Sequence, residues 1–236
     1  MKMRAPFNGF TGRGVRIAIV DSGINPLHPH VQGIQGGVCI APSETRDYVD
    51  YNGHGTAVAG AIREKAPESD LFAVKIFNSL LAADVDTIIA ALRWSIDRQM
   101  EVINLSLGTE SEVRREELQP IVNLAKESNI TIVSACSAGE RPLFPGSMAG
   151  VIGVLADPLC PRDSYGATVS HGAQVFVASP YPRDIPGVPR ERNLNGTSFA
   201  VANMTGFVAR ARQREPHGSV ESLLEALKNE IEILTR

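Results

Sequence analysis

Residues 12–25 read GRGVRIAIVDSGIN. The run 15–20 is apolar at every position but Arg16 and rich in β-branched residues, and Ser-Gly after Asp21 supplies a turn. Such a run belongs to a strand covered on both faces. The same pattern returns in LFAVKIF (71–77), EVINLSL (101–107), ITIVSAC (130–136), GVIGVLA (150–156) and AQVFVAS (173–179). Between the strands the period changes. Residues 84–98 place Ile88, Leu92 and Ile96 at four-residue spacing with Val85 and Ile89 alongside, which predicts an amphipathic helix. A second helix is predicted over 113–128, and a last one on the stripe Val220, Leu223, Leu224, Leu227, Ile231 and Leu234. Strand–helix alternation predicts an α/β fold with a mostly parallel central sheet and helices on both faces. Residues 157–196, rich in Pro, Gly and Arg, are expected to be surface loops around one strand. Nothing reads as an interdomain linker, so residues 1–236 are expected to form one domain.

Composition narrows the class of function. Hydrophobic residues at 43% and charged residues at 21% are those of a globular chain with a substantial core. A net charge of −3 gives no reason to expect nucleic acid or an acidic membrane as partner. No apolar run approaches the ~20 residues of a spanning helix. The opening MKMRAPFNGFTGRG has basic residues without an apolar stretch behind them, unlike a secretory signal. Cys39, Cys136 and Cys160 are odd in number and lack metal-ligand spacing. They read as free thiols, and a cytoplasmic location is expected.

Three short stretches carry chemistry. Asp21 stands at the carboxyl end of the first strand, where functional groups of parallel sheets collect; an Asp there also caps turns. In NGHGTAVAGAI (52–62), His54 lies between two glycines at the start of a small-residue helix, a place equally suited to a surface histidine. In NLNGTSFAVANMT (193–205), Ser198 opens another helix, where it is either a helix cap or a nucleophile beside free amides. The chain order Asp, His, Ser discriminates. A serine hydroxyl is a poor nucleophile until an imidazole accepts its proton, and the imidazole works best with a carboxylate fixing its tautomer. This order is one of those in which that constellation recurs on unrelated folds.

DSGINPLHPHV (21–31), NGHGTAVAGAI and NGTSFAVA (195–202) resemble the three catalytic signatures of the subtilisin-like serine proteases. NLSLG (104–108) resembles their cleft-lining segment, and the likeness runs from about Gly12 to Ala211. The resemblance implies a serine endopeptidase with Asp21 orienting His54 as general base toward Ser198. It implies that the edge Leu105, Ser106, Leu107 and Gly108 pairs with a peptide or protein substrate as an added strand. It calls for no cofactor.

The chain departs from that pattern in several places. Phe199, Ala202 and Asn203 replace the family's usual Met, Pro and His, at helix-packing positions. His30 stands where a carboxylate often binds calcium, and the Gly-Asn-rich loop that supplies further oxygens is missing, so no metal is expected. The domain is expected to stand without a prodomain, and together with the small size this leads to the expectation of a dedicated processing enzyme. In SACSAGE (134–140), Ala138 falls where relatives carry the Asn that completes the oxyanion hole, and a one-residue shift offers Ser137. The wall 139–151 is short, and Arg141 either enters the pocket or is solvated. Two alternatives follow: a non-catalytic peptide-binding module, or a transpeptidase or cyclase using the same triad. A nucleotide-binding reading fails, because GRGV precedes the first strand whereas phosphate loops follow it.

Overall fold

The computed structural model describes residues 5–41, 47–77 and 83–234. Along the chain run β1 (Arg16–Asp21), β2 (Gly36–Cys39), α1 (His54–Lys65), β3 (Asp70–Lys75), α2 (Val85–Asp97), β4 (Val102–Leu105) and α3 (Glu112–Glu127). These are followed by β5 (Thr131–Ala135), β6 (Ser137–Ala138), β7 (Arg141–Pro142), β8 (Val151–Ala156), β9 (Tyr165–Ser170), β10 (Ala173–Ala178), α4 (Thr197–Arg214) and α5 (Val220–Leu234). An eight-stranded sheet has the order β2-β3-β1-β4-β5-β8-β10-β9, and β6 and β7 form a separate hairpin. Neighbouring strands of the large sheet are parallel except β9, which runs antiparallel to β10.

The unbroken apolar runs are explained by two cores. Successive strand residues point to opposite faces. In β1, Ile17 and Ile19 join the layer of α1, α4 and α5, whereas Ala18 and Val20 join that of α2 and α3. The stripe Val85, Ile88, Leu92 and Ile96 of α2 packs on this second face. Helix α4 behaves differently: it is buried from Phe199 through Ala209 and so lacks a polar stripe. It packs closely on α1, because a Cβ at Gly206 would stand 2.4 Å from the Cβ of Lys65.

The polar-looking region 157–196 holds two strands rather than one. YGATVS forms β9, which fills the sheet edge with its middle residues exposed, so its sequence lacks the apolar run of the interior strands. Strand β2 was also not expected. Its glycine has a steric reason: a Cβ on Gly37 would lie 2.4 Å from the carbonyl oxygen of Ala73.

Strand order positions the site. From β1 the chain passes to β2 and β3 on one side and later to β4 on the other, so the connections diverge at the carboxyl ends of β1 and β4. In an open parallel sheet that divergence leaves a crevice. Asp21 ends β1 and Ser106 follows β4, at the crevice.

Candidate active site

Asp21 is fully buried at the end of β1. Its Oδ1 lies 2.7 Å from His54 Nδ1 and accepts the Ser22 amide at 2.8 Å. The approach depends on a glycine. A Cβ at Gly55 would stand 2.2 Å from the Gly23 carbonyl oxygen and 3.1 Å from Asp21 Oδ1. The second glycine flanking His54 therefore serves close packing of the β1 turn on α1. Gly53, the N-cap of α1, has φ 92 and contributes no side-chain cap.

The cap comes from Asp50, which the three sequence motifs do not include. Its Oδ1 accepts from the Ser22 hydroxyl and the amides of Asn52 and Gly53; its Oδ2 accepts the Thr56 amide and hydroxyl. Ser22 Oγ in turn accepts the Gly55 amide at 2.9 Å. One carboxylate thus holds the Thr56 amide of the first turn together with the two amides that lead into the helix, and ties them to the residue beside Asp21. The available signal was an Asp four residues before His54, the kind of residue that precedes a helix start.

Burial by itself lowers the proton affinity of His54. The hydrogen bond and charge of Asp21, with the charge of Asp50 behind them, outweigh it, and the pKa lies above the ordinary histidine value. In the role of base expected for His54 the ring must be neutral to accept a proton, so activity is expected to rise as pH passes upward through this raised pKa. The acid limb of kcat/KM should fall above about pH 6.5. Asp21→Asn removes the raising charge and should move that limb to lower pH while reducing the rate. An unmoved limb would mean that another group controls it.

Ser198 is not the cap of α4; that position is Gly196, and no side chain among the described residues caps the helix. The Ser198 hydroxyl instead donates to the Ser106 carbonyl oxygen at 3.3 Å, and Ser106 Oγ reaches back to the Ser198 carbonyl at 3.5 Å. Phe199, the next residue, is buried with its ring centroid 5.4 Å from that of His54. The segment Leu105–Gly108 and the Ser198 turn are thus joined directly. A buried polar chain extends the junction: Thr205 Oγ1 donates to Asn104 Oδ1 at 3.0 Å, and Asn104 Nδ2 donates to Ser106 Oγ at 2.9 Å. Neither Asn104 nor Thr205 was singled out in the sequence. A lone Asn inside the apolar strand VINL was the sign available, since a buried amide needs a partner. Leu105 is buried at the end of β4, whereas Ser106, Leu107 and Gly108 are half-buried beyond it. Leu107 offers its carbonyl to Ser134 Oγ at 3.3 Å, and Gly108 packs on the backbone of Phe144.

The segment expected to supply an oxyanion donor is sparse in donors. Ser137 and Ala138 form β6, and the Ser137 hydroxyl donates to the Gly139 carbonyl at 2.6 Å. Ala138 is exposed and has no side-chain donor. Arg141 is solvated, 75% exposed, and pairs with Glu110 at 2.6 Å.

His30 does not suit calcium. Its ring stands edge-on to His28 with centroids 5.0 Å apart, and Arg183 reaches its carbonyl oxygen at 3.4 Å. Calcium wants ~6–8 hard oxygen ligands, not imidazoles beside a guanidinium. The melting temperature is therefore expected to be the same in EDTA and in millimolar calcium. A rise of many degrees with calcium would contradict this assignment.

A sequence model of the subtilase family matches residues 12–234. Subtilisin of Bacillus pumilus is 32% identical over 232 residues, covering 88% of this chain and 80% of its own length. Subtilisin E of Bacillus subtilis is 31% identical, with 88% and 58% covered. M-protease of Shouchella clausii is 34% identical, with 94% and 60% covered. The chain thus spans under two thirds of the length of the latter two relatives.

Proposed function

The chain belongs to the subtilase family, whose members are serine endopeptidases, and from that premise we propose that it cuts a peptide or protein through an acyl-enzyme on Ser198. The observation that carries this reading is the buried Asp21 carboxylate 2.7 Å from His54 Nδ1. That contact puts the proton on Nδ1 and leaves Nε2 as the basic nitrogen.

Substrate backbone adds along Leu105–Gly108 and brings its carbonyl to Ser198. The Ser198 hydroxyl leaves the Ser106 carbonyl and passes its proton to His54 as Oγ bonds to the substrate carbon. The resulting imidazolium is stabilised by Asp21. The backbone amide of Ser198, in the first turn of α4 where amides lack helical partners, donates to the developing oxyanion. His54 then gives its proton to the departing amine, and water repeats the sequence in reverse to release the acid.

One observation favours a second reading, a peptide-binding module without turnover: Ala138 offers no side-chain donor to an oxyanion. A fluorophosphonate probe separates the two. Labelling of the wild-type chain, absent in Ser198→Ala, is the expected result; an unlabelled wild type would leave the binding module. A cytoplasmic setting is part of the proposal. It is supported by the unpaired thiols of Cys39, Cys136 and Cys160, two of which, Cys136 and Cys160, burial pushes up to about 11. Such thiols resist ionisation and stay reduced there.

A further inference from the structure

A cavity of about 260 Å³ opens beside His54 and has no part in the chemistry described above. Its lining includes Gly53, the residue before His54, and Leu194, which shortly precedes Ser198. His28, His30 and Arg183 supply its polar side, and Ile185 and Leu194, both exposed, its apolar rim. No residue of Leu105–Gly108 lines it. That segment takes the acyl half of the substrate, and His54 hands its proton to the departing amine. Chain beyond the cut bond therefore leaves past His54, toward Gly53 and this cavity.

The charge of the cavity is set by what is already committed. Asp50 also lines it and keeps its negative charge, but both its oxygens are held by Ser22, Asn52, Gly53 and Thr56, so it is not a salt-bridge partner of Arg183. Asp184 pairs with Arg162 at 3.3 Å, and Glu64 is held by Lys65 and Arg162. The Arg183 guanidinium makes one long contact, 3.4 Å to the His30 carbonyl, and has no carboxylate partner among the described residues. Burial first and Arg183 second hold the His30 ring toward its neutral form, which leaves Arg183 as the standing cation. Its backbone is fixed. Asn193 Nδ2 donates to the Arg183 carbonyl at 3.2 Å, and the buried Asn203 amide donates to the Ser179 and Tyr181 carbonyls at 2.9 and 3.0 Å.

We propose that this cavity selects an acidic side chain on the leaving-group side of the bond that is cut. Arg183 pairs with the carboxylate, and Ile185 and Leu194 cover its methylenes. The inference rests on the endopeptidase reading, because only a cut substrate has a leaving side. The test is digestion of a randomised decapeptide library with the full chain, followed by sequencing of the products. Asp and Glu should exceed Lys and Arg by about tenfold within the first three positions after the cut, the size of one partly desolvated charge pair. Arg183→Glu should reverse that order, and Arg183→Lys should keep it. Cleavage without acidic enrichment in the wild type overturns the pocket assignment, whether or not either variant folds. No cleavage at all, where the Ser198→Ala control is equally silent, overturns the endopeptidase reading instead.

Discussion

Ser198→Ala, and separately His54→Ala, should each abolish peptide turnover while leaving the fold intact. The expected loss is about 10⁶-fold in kcat, a figure borrowed from a subtilisin. In the proposed mechanism nucleophile and base act as one unit: without Ser198 no acyl-enzyme would form, and without His54 the hydroxyl would keep its proton at neutral pH. Removing both should cost hardly more than removing either. Asp21→Asn should be less severe, since the nucleophile and the imidazole remain and only the tautomer is lost. The folded state should tolerate Ser198→Ala well. The hydroxyl does not cap α4, and its hydrogen bond to Ser106 is worth about 1 kcal/mol. Steady-state rates on a peptide mixture, with melting curves alongside, decide the matter. Equal activity in wild type and Ser198→Ala would end the proposed mechanism.

The second large effect is a gain. Ala138→Asn should raise kcat by up to ~10²–10³-fold and leave KM roughly unchanged; that range too is borrowed from the loss of the corresponding donor in a subtilisin. A donor aimed at the position the oxyanion will occupy acts in the transition state and hardly in the ground state. The structure weakens the competing account in which Ser137 fills the role. Its hydroxyl already donates to the Gly139 carbonyl at 2.6 Å and would have to abandon that bond. Ser137→Ala is therefore expected to change the rate little. The opposite pattern, with Ala138→Asn silent and Ser137→Ala raising the barrier by ~2–4 kcal/mol, would assign the donor to Ser137. If neither variant alters the rate, the oxyanion donor lies on another segment and the alignment of SACSAGE is wrong.

The sequence by itself determined the sheet class and the interior strands, because a strand covered on both faces must be apolar at nearly every position. It also determined the order Asp21, His54, Ser198, since each stands at a strand or helix end marked by glycine or a turn. It did not disclose β9, whose exposed middle residues remove the apolar signal, or β2, whose Gly37 is required by a neighbouring backbone. The sequence singled out neither Asp50 nor the chain from Thr205 through Asn104 to Ser106. Their roles are set by partners far along the chain: Asp50 gathers Ser22 as well as its own helix start, and Thr205 meets Asn104 across the sheet–helix interface. The cavity at Arg183 likewise joins the loop after β1, the start of α1 and the segment before α4. Local pattern reports what one segment buries. Which acid is already neutralised, and which cation is left free, is decided only when the sheet order brings distant segments together.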